Sequence, residues 1–220
     1  MGSDMRVACR RRAFVAHCSV LLATAAGLPA KAQPARRKLL VVGDSLSAEY
    51  GLPRGTGWVA LLQARIAQQK LPWDVVNASI SGDTTSGGRS RVPALLAQHK
   101  PALVVIELGG NDALRGLPLA MTQANLTAMA RDAKAAGARV VVVGMAVPPN
   151  YGRQYGDDFF KLFATVAKAE GAALVPFLLH GVADVPQAET LFQPDGIHPK
   201  AEAHPRMLAN VWPVLQPLLR

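Results

Sequence analysis

An unbroken apolar run meets a short polar turn in Leu39-Leu40-Val41-Val42-Gly43-Asp44-Ser45-Leu46-Ser47. The apolar part has the length of a buried strand, and the small residues after it are typical of a turn that caps a helix. A chemical role for the hydroxyl of Ser45 requires more than this turn. The rest of the chain must supply a base, an acid that orients the base, and donors for an oxyanion.

Apolar runs alternate with helical patterns along the remaining sequence. Strands are predicted over residues 39–43, 73–80, 102–108, 139–145 and 172–176. Helices are predicted over residues 58–66, 92–98, 122–136, 157–170 and 201–218, and residues 148–156 are the most loop-like stretch. Strands that are apolar on both faces, each followed by a helix, predict an α/β fold with a five-stranded parallel sheet covered on both sides.

The leader, residues 1–32, has the layout of a secretory signal peptide. Four arginines, at positions 6, 10, 11 and 12, precede a mostly apolar run over residues 13–28, and Ala30-Lys31-Ala32 forms an A-x-A cleavage site before Gln33. The run is short for a bilayer span, so export with cleavage after Ala32 is favoured over an uncleaved anchor. Ala16-His17 is a poor context for a lipoprotein cysteine at Cys18. Residues 1–4 are interpreted as an early start or an added tag.

Residues 33–220 are predicted to form one domain that is periplasmic or secreted. The chain has two cysteines, Cys9 and Cys18, and both lie in the leader. The domain therefore has no thiol, no disulfide and no cysteine metal site, which suits an oxidising compartment because nothing can mispair.

The charge of the chain is moderately basic. The formal net charge is +9, and five of the 24 Lys and Arg residues and one of the 15 acidic residues lie in residues 1–32, which leaves nineteen and fourteen for the domain. The basic residues are scattered and lack interleaved aromatics, so no nucleic-acid partner is predicted. At most a transient contact with a membrane surface is expected, and a monomer is the default.

Three polar clusters follow the first three predicted strands. They are Gly43-Asp44-Ser45-Leu46-Ser47, Ser79-Ile80-Ser81-Gly82-Asp83-Thr84-Thr85 and Gly109-Gly110-Asn111-Asp112. In a parallel sheet such clusters share the carboxyl edge, where open α/β proteins bind ligands. The alternative is that all three are helix-capping turns without a ligand.

A base and its orienting acid are present near the C-terminus, in Pro194-Asp195-Gly196-Ile197-His198-Pro199. A tight turn of this kind points the carboxylate of Asp195 at Nδ1 of His198 and leaves Nε2 to face Ser45 Oγ. The histidines at positions 99, 180 and 204 are interpreted as lone residues that are simply exposed, and His198 differs from them because Asp195 is close and its flanks are rigid.

Three groups at the same edge can donate hydrogen bonds to an oxyanion. The backbone N–H of Ser45 lies at a helix start. The N–H of Gly82 is approachable because glycine has no side chain to block it. The side-chain amide of Asn111 is the third donor, although a Gly-Asn pair also occurs in purely structural turns.

These blocks, in this order, resemble the SGNH hydrolases, also called the GDSL family of esterases and lipases. The resemblance covers nearly all of residues 33–220, and it is closest to the bacterial periplasmic multifunctional acyl-CoA thioesterases, lysophospholipases and arylesterases. It rests on Gly43-Asp44-Ser45-Leu46-Ser47, Gly82, Gly109-Gly110-Asn111-Asp112 and Asp195-Gly196-Ile197-His198-Pro199. The sequence departs from the family's pattern at two positions near these motifs, since Glu49 and Ala113 stand where these enzymes commonly have glycine.

The resemblance implies a flavodoxin-like three-layer α/β/α fold and a catalytic triad of Ser45, Asp195 and His198. It implies Ser45, Gly82 and Asn111 as the oxyanion hole. The expected reaction is the hydrolysis of small-molecule esters, thioesters or lysolipids through an acyl group on Ser45, without a metal or an organic cofactor. A carboxylate at Glu49 would repel anionic substrates if it pointed inward.

An apolar groove for the acyl chain is predicted beside the site. Leu114 and Leu117 follow Asn111, Tyr151 lies in the loop after the fourth strand, and Leu46 follows Ser45. Alternatively, Leu117 only packs against the next helix.

Two other classes of function remain open on the residues alone. Asp44, Asp112, Asp195 and His198 would suit a metal-assisted hydrolase. A non-catalytic protein would hold an anion or another ligand at the helix N-termini beside Ser45 and Gly82.

Overall fold

The computed structural model describes residues 35–220. The predicted signal peptide, its cleavage site and residues 1–4 lie outside the described residues. Between residues 35 and 220, no helix has both the length and the apolar character needed to cross a membrane.

The described chain alternates strands with helices. The strands are β1 (Arg37–Gly43), β2 (Trp73–Asn77), β3 (Leu103–Glu107), β4 (Arg139–Val143) and β5 (Ala173–Val175). The helices are α1 (Trp58–Gln68), α2 (Thr85–His99), α3 (Gly110–Leu114), α4 (Leu119–Ala135), α5 (Arg153–Glu170) and α6 (His204–Leu215). Short 3-10 turns occupy Pro149–Tyr151, Ala188–Leu191, Ala201–Ala203 and Gln216–Leu218.

The five strands form one parallel sheet in the order β2-β1-β3-β4-β5. Helices α1 and α6 pack against each other, as do α2 with α4 and α4 with α5. The predicted α/β fold with a five-stranded parallel sheet is confirmed. The order places β1 and β3 side by side within the sheet, so the turns after these two strands leave it next to each other.

The central strands are apolar on both faces because helices cover both sides of the sheet. All five residues of β3 are buried, and the last of them is the carboxylic acid Glu107. In the register of the sheet, Glu107 pairs with Gly43 at the end of β1. A buried carboxyl group therefore lies directly beside the start of the polar turn.

Helix α2 begins well before the position that the pattern predicts. The side chain of Thr84 accepts a hydrogen bond from Gly87 N–H and caps the helix. Buried Asp112 accepts further bonds from the N–H and hydroxyl of Thr85. Residues 85–91 carry no apolar periodicity, so these caps define a helix start that the pattern cannot indicate.

Two other helices differ from the prediction. Residues 110–114, interpreted as part of a turn, form the short helix α3. Helix α5 begins at Arg153, inside the stretch interpreted as a loop. Both changes shorten the segments that follow β3 and β4 at the carboxyl edge of the sheet.

Candidate active site

The serine turn, residues 43–50, begins where β1 ends. The carbonyl of Asp44 accepts the N–H groups of Ser47 and Ala48, at 3.2 and 2.9 Å, and Asp44 Oδ1 accepts the N–H of Leu46 at 3.0 Å. Asp44 and Leu46 are buried, whereas Ser45 stays half-exposed. Within residues 35–220 no acceptor takes the N–H of Ser45, so it is free to bind a ligand.

Side chains of the sheet and of α1 hold the serine turn in place. Ser47 Oγ donates to Glu107 Oε2 at 2.6 Å and accepts Trp58 Nε1–H at 3.1 Å. Asn77 Nδ2 donates to the carbonyl of Ser47 at 2.7 Å. A Cβ atom at Gly43 would lie 2.7 Å from both Glu107 Oε2 and Ser47 Oγ, so only glycine fits above this pair.

Two buried carboxyl groups therefore lie close together under the site. Burial raises the pKa of Asp44 to about 6, against the opposing effect of hydrogen bonds from Leu46 and Asn111. Burial, followed by the charge of Asp44, raises the pKa of Glu107 well above its usual range. Two negative charges at this position are therefore disfavoured, and the pair tends to retain a proton.

A second tight turn carries the base. Asp195 Oδ1 accepts the N–H groups of Ile197 and His198 at 2.9 and 3.0 Å, and Gly196 takes a positive φ of 68° that closes the turn. The hydrogen bond from the His198 N–H is the largest cause that lowers the pKa of Asp195 to about 2. Asp195 is therefore ionised at neutral pH.

The two turns meet at a chain of hydrogen bonds. His198 Nδ1 lies 2.6 Å from Asp195 Oδ2, and His198 Nε2 lies 2.9 Å from Ser45 Oγ. A carboxylate at Nδ1 favours the tautomer with its proton there, which leaves Nε2 to accept the proton of the hydroxyl. An arrangement of this kind can generate a serine nucleophile.

The two other predicted oxyanion donors lie on the segments that follow β2 and β3. Asn111 Nδ2 donates one hydrogen to Asp44 Oδ2 at 3.0 Å, which leaves its second amide hydrogen available. Gly82 has a positive φ of 78°, and its carbonyl accepts Arg115 Nη2 at 2.8 Å. No group in the described part of the chain accepts the Gly82 N–H.

Arg91 on α2 is a supporting residue that the sequence did not indicate. Its Nε donates to Asp83 Oδ2 at 2.8 Å, and its terminal nitrogens donate to the carbonyls of Ala78 and Gly43. One side chain thus ties the end of β1 to the segment that carries Gly82.

Tyr50 and Gln193 are also site residues that the sequence did not indicate. The ring of Tyr50 lies over that of His198, with 4.3 Å between the centroids. Gln193 Nε2 donates to the carbonyls of Tyr50 and Pro199, at 2.9 and 3.2 Å, and the Gln193 N–H donates to the carbonyl of His198 at 2.8 Å. Gln193 therefore joins the serine turn to the turn of His198. No sequence signal links them, since Tyr50 and Gln193 lie far apart along the chain.

The prediction that His204 is exposed is wrong. His204 is buried, and its Nδ1 accepts the N–H of Trp58 in the first turn of α1 at 3.0 Å. Burial lowers the pKa of His204. The neutral imidazole therefore accepts one of the N–H groups that have no acceptor within the first turn of α1. His180 is exposed as predicted and pairs with Asp184 at 2.7 Å, whereas His99 is half-exposed.

The carboxylate of Glu49 does not face a substrate. It accepts the N–H groups of Gly55 and Gly57, with the shortest bond, 2.8 Å, to Gly57. Glu49 has a positive φ of 59°, a backbone conformation that glycine adopts without strain. These contacts orient the segment that precedes α1.

The residues predicted to line an acyl groove differ in exposure. Leu114 is exposed, whereas Leu117 and Tyr151 are half-buried. Tyr151 stacks on Tyr155 with 6.2 Å between the ring centroids. Leu46 packs in the core and offers little surface to a ligand.

The residues considered as metal ligands do not form a metal site in the described part of the chain. Among residues 35–220, no three His, Cys, Asp or Glu side chains gather closely enough to hold a metal ion. Asp112, one of the residues considered for that role, instead accepts hydrogen bonds from Thr85 and Thr122 in the interior.

Comparisons with known proteins agree with this geometry. The model of the GDSL-like Lipase/Acylhydrolase family matches residues 41–206. The chain is 56% identical over 187 residues to "Esterase TesA" of Pseudomonas aeruginosa, with 85% of this chain and 92% of that protein covered. It is 42% identical over 181 residues to "Thioesterase 1/protease 1/lysophospholipase L1" of Escherichia coli K12, with coverages of 82% and 84%.

A solved structure extends the likeness to three dimensions. The crystal structure of TesA superimposes with a TM-score of 0.79 at 56% identity, covering 83% of this chain and 99% of that one. The family match spans most of the chain, and both relatives share a large part of its sequence over most of their own length. The chain therefore belongs to the GDSL-like lipase/acylhydrolase family, the SGNH hydrolases, and is a carboxylic ester hydrolase.

Proposed function

We propose that the protein hydrolyses esters and thioesters through an acyl-enzyme on Ser45, with His198 as general base and acid and Asp195 as its orienting acid. One observation carries the proposal: an unbroken chain of hydrogen bonds runs from Ser45 Oγ through the imidazole to the carboxylate of Asp195.

Acylation begins when Ser45 Oγ attacks the carbonyl carbon and its proton passes to His198 Nε2. The bond to the leaving oxygen or sulfur then breaks, and His198 gives that atom the proton. In deacylation a water molecule takes the place of the alcohol or thiol, and His198 removes its proton as the water oxygen attacks the acyl carbon. The bond from that carbon to Ser45 Oγ then breaks, and His198 gives the proton to Ser45 Oγ. The products are a carboxylic acid and free Ser45. Every step uses side chains of this chain.

The oxyanion of each tetrahedral intermediate is stabilised by the N–H groups of Ser45 and Gly82 and by the amide of Asn111. The absence of internal acceptors for both backbone groups within residues 35–220 supports this role. The bond from Asn111 to Asp44 supports it as well, since it orients the amide before the substrate arrives.

The proposed substrates are small: aryl esters, acyl-CoA thioesters and lysophospholipids. The names of the two relatives, an esterase and a thioesterase that is also called a lysophospholipase, support this range. The acyl chain is proposed to lie along Leu114, Leu117 and Tyr151.

The signal-like pattern of residues 1–32 supports export, with residues 33–220 as a single periplasmic or secreted domain. N-terminal sequencing of the protein from a periplasmic extract tests this. A mature chain that starts at Gln33 is the expected result, and a chain that keeps the leader in that extract contradicts the proposal.

A fluorophosphonate probe tests the nucleophile directly, because its phosphorus forms a bond to an activated serine oxygen with loss of fluoride. Mass spectrometry should place the adduct on Ser45, and Ser45→Ala should not react. Ser86→Ala, a change at an exposed serine of α2, is the matched control and should react normally. A folded protein that resists the probe would favour the binding protein, and activity lost on chelation would favour the metal enzyme.

A further inference from the structure

Exposed apolar side chains are concentrated in the segments that carry the active site. Five large hydrophobic residues in the described part of the chain are exposed: Tyr50, Ile80, Leu114, Phe160 and Ile197. Four of them lie within five positions of Ser45, Gly82, Asn111 or His198, and only Phe160 lies elsewhere, on α5. Apolar groups exposed at a site mark a surface for an apolar ligand.

These four residues lie on two different sets of segments around Ser45. Ile80 and Leu114 lie on the segments of Gly82 and Asn111, which receive the carbonyl oxygen. Tyr50 and Ile197 lie beside His198, with exposed fractions of 49% and 44%. One side of Tyr50 covers the imidazole, with the two rings tilted by 35°, and the rest faces solvent.

The backbone keeps Tyr50 in this position. Its N–H donates to the carbonyl of Ser45 at 3.4 Å, and its own carbonyl accepts Gln193 Nε2 at 2.9 Å. At Gly51 the two turns approach so closely that a Cβ atom would lie 2.2 Å from Gln193 Oε1. The backbone of Tyr50 is therefore held between the two turns, beside His198.

The chemistry of ester cleavage directs the acyl chain and the leaving group of a substrate toward different residues. The carbonyl oxygen must reach the oxyanion donors, and the leaving oxygen or sulfur must come within hydrogen-bond distance of His198 Nε2 to receive the proton. The substituent on the leaving atom consequently passes the imidazole that Tyr50 covers, whereas the acyl chain extends on the other side.

We propose that Tyr50 and Ile197 form a leaving-group subsite that favours flat aromatic alcohols and thiols. The inference rests on the proposed roles of Ser45 and His198. An aryl leaving group contacts the exposed part of the Tyr50 ring in an offset or edge-to-face geometry, and Ile197 adds an apolar wall. A ring pair of this kind raises a rate or binding constant by about two- to tenfold.

The test compares phenyl butanoate with trifluoroethyl butanoate, which share an acyl group and differ in the leaving group. The measured quantity is kcat/KM, because it reports acylation, the half-reaction in which the leaving group is present. Tyr50→Leu should lower the phenyl-to-trifluoroethyl ratio of kcat/KM by about two- to tenfold. Tyr50→Phe keeps the ring and should preserve the ratio. Phe160→Leu, at the exposed aromatic outside the site, is the matched control.

Deacylation provides a second readout. Both esters give the same butanoyl-enzyme, so its hydrolysis rate, measured after the pre-steady-state burst, should be the same for the two esters in each variant, and the difference between the esters should appear only in the burst. Ile197→Ala should lower the same ratio by a smaller factor, and it tests the subsite independently if Tyr50→Leu folds poorly.

Equal losses of kcat/KM on both esters would show that Tyr50 only positions His198 and would overturn the subsite. An unchanged ratio in well-folded Tyr50→Leu and Ile197→Ala would overturn it too. Failure of the proposed function has a different signature, since Ser45→Ala would then still turn over both esters.

Discussion

Ser47 donates its hydroxyl hydrogen to Glu107 across 2.6 Å, between the turn that follows β1 and the last residue of β3. Glu107 is fully buried, and no partner for its Oε1 exists among residues 35–220. The bond fixes the serine turn against the sheet. It also places a second buried carboxyl group beside Asp44, and burial raises the pKa of both.

Replacing Glu107 by Gln should flatten the dependence of stability on pH. The folded pKa of Glu107 is raised, so above about pH 4.5 the folded protein holds a proton that the unfolded chain has released. The free energy of unfolding therefore falls as pH rises from there toward the raised pKa. Glu107→Gln cannot ionise and should lose this part of the decline.

Urea unfolding of the wild type and of Glu107→Gln at a series of pH values from about 5 to about 8.5 measures the effect, and the contribution of Asp44, with its pKa of about 6, is common to both proteins. The neutral amide still accepts from Ser47, so kcat should stay within a few-fold of the wild-type value. A decline as steep as that of the wild type would contradict a proton on Glu107.

Removing either end of the Ser45–His198 pair should abolish nearly all turnover. Ser45→Ala and His198→Ala should each lower kcat by about 10⁶, and Asp195→Asn by about 10⁴, because in the last variant the serine and the imidazole remain. Thermal unfolding should change little, since Ser45 and His198 lie at the sheet edge. Steady-state kinetics measure these losses of kcat, and substantial activity in folded Ser45→Ala would refute the assignment of Ser45 as the nucleophile.

Asn111→Ala should lower kcat by about 10²–10³ with a smaller change in KM, as expected for a donor used mainly in the transition state. Asp44→Asn should also lower kcat, by about tenfold or more. The introduced side chain then turns an N–H donor, instead of an acceptor oxygen, toward Asn111 Nδ2, which loses its hydrogen bond. If Asp44 acts by orienting Asn111, the double variant should lose less than the product of the two effects. Multiplicative losses, or an Asn111 effect confined to KM, would contradict these roles.

The strands were the most predictable part of the molecule. Each predicted strand lies within a few residues of an observed one, because the strands of a covered parallel sheet are apolar along most of their length. The start of α2 was not predictable from periodicity, because the hydrogen bonds from Thr85 go to Asp112, which is distant in sequence.

The site residues also divide into those that the sequence indicates and those that it does not. Ser45, Gly82, Asn111 and His198 stand in short motifs at strand ends or between rigid flanks, so the sequence indicates them. Tyr50 and Gln193 matter through a contact between two distant turns. His204 was wrongly predicted to be exposed because its partner, the N–H of Trp58, lies in a remote part of the sequence. A sequence pattern carries no signal for such pairs.

Shortening Leu114 or Leu117 to Ala should lower kcat/KM for medium-chain esters and leave acetyl esters nearly unchanged. Each buried CH₂ contributes up to ~0.8 kcal/mol, which limits selectivity to about fourfold per methylene. A series of esters from acetyl to decanoyl measures the slope in each variant. Equal losses on acetyl and octanoyl esters would mean that these leucines only support the fold.

The segment between β5 and α6 carries His198 without any strand or α-helix of its own. Its links to the serine turn include the bonds from His198 to Ser45 and from Gln193 to Tyr50. Segments of this kind open at a lower free energy than a central sheet. Gentle heating should therefore detach the imidazole while the rest of the molecule stays intact. Turnover should then stop before circular dichroism changes, and it should return on cooling.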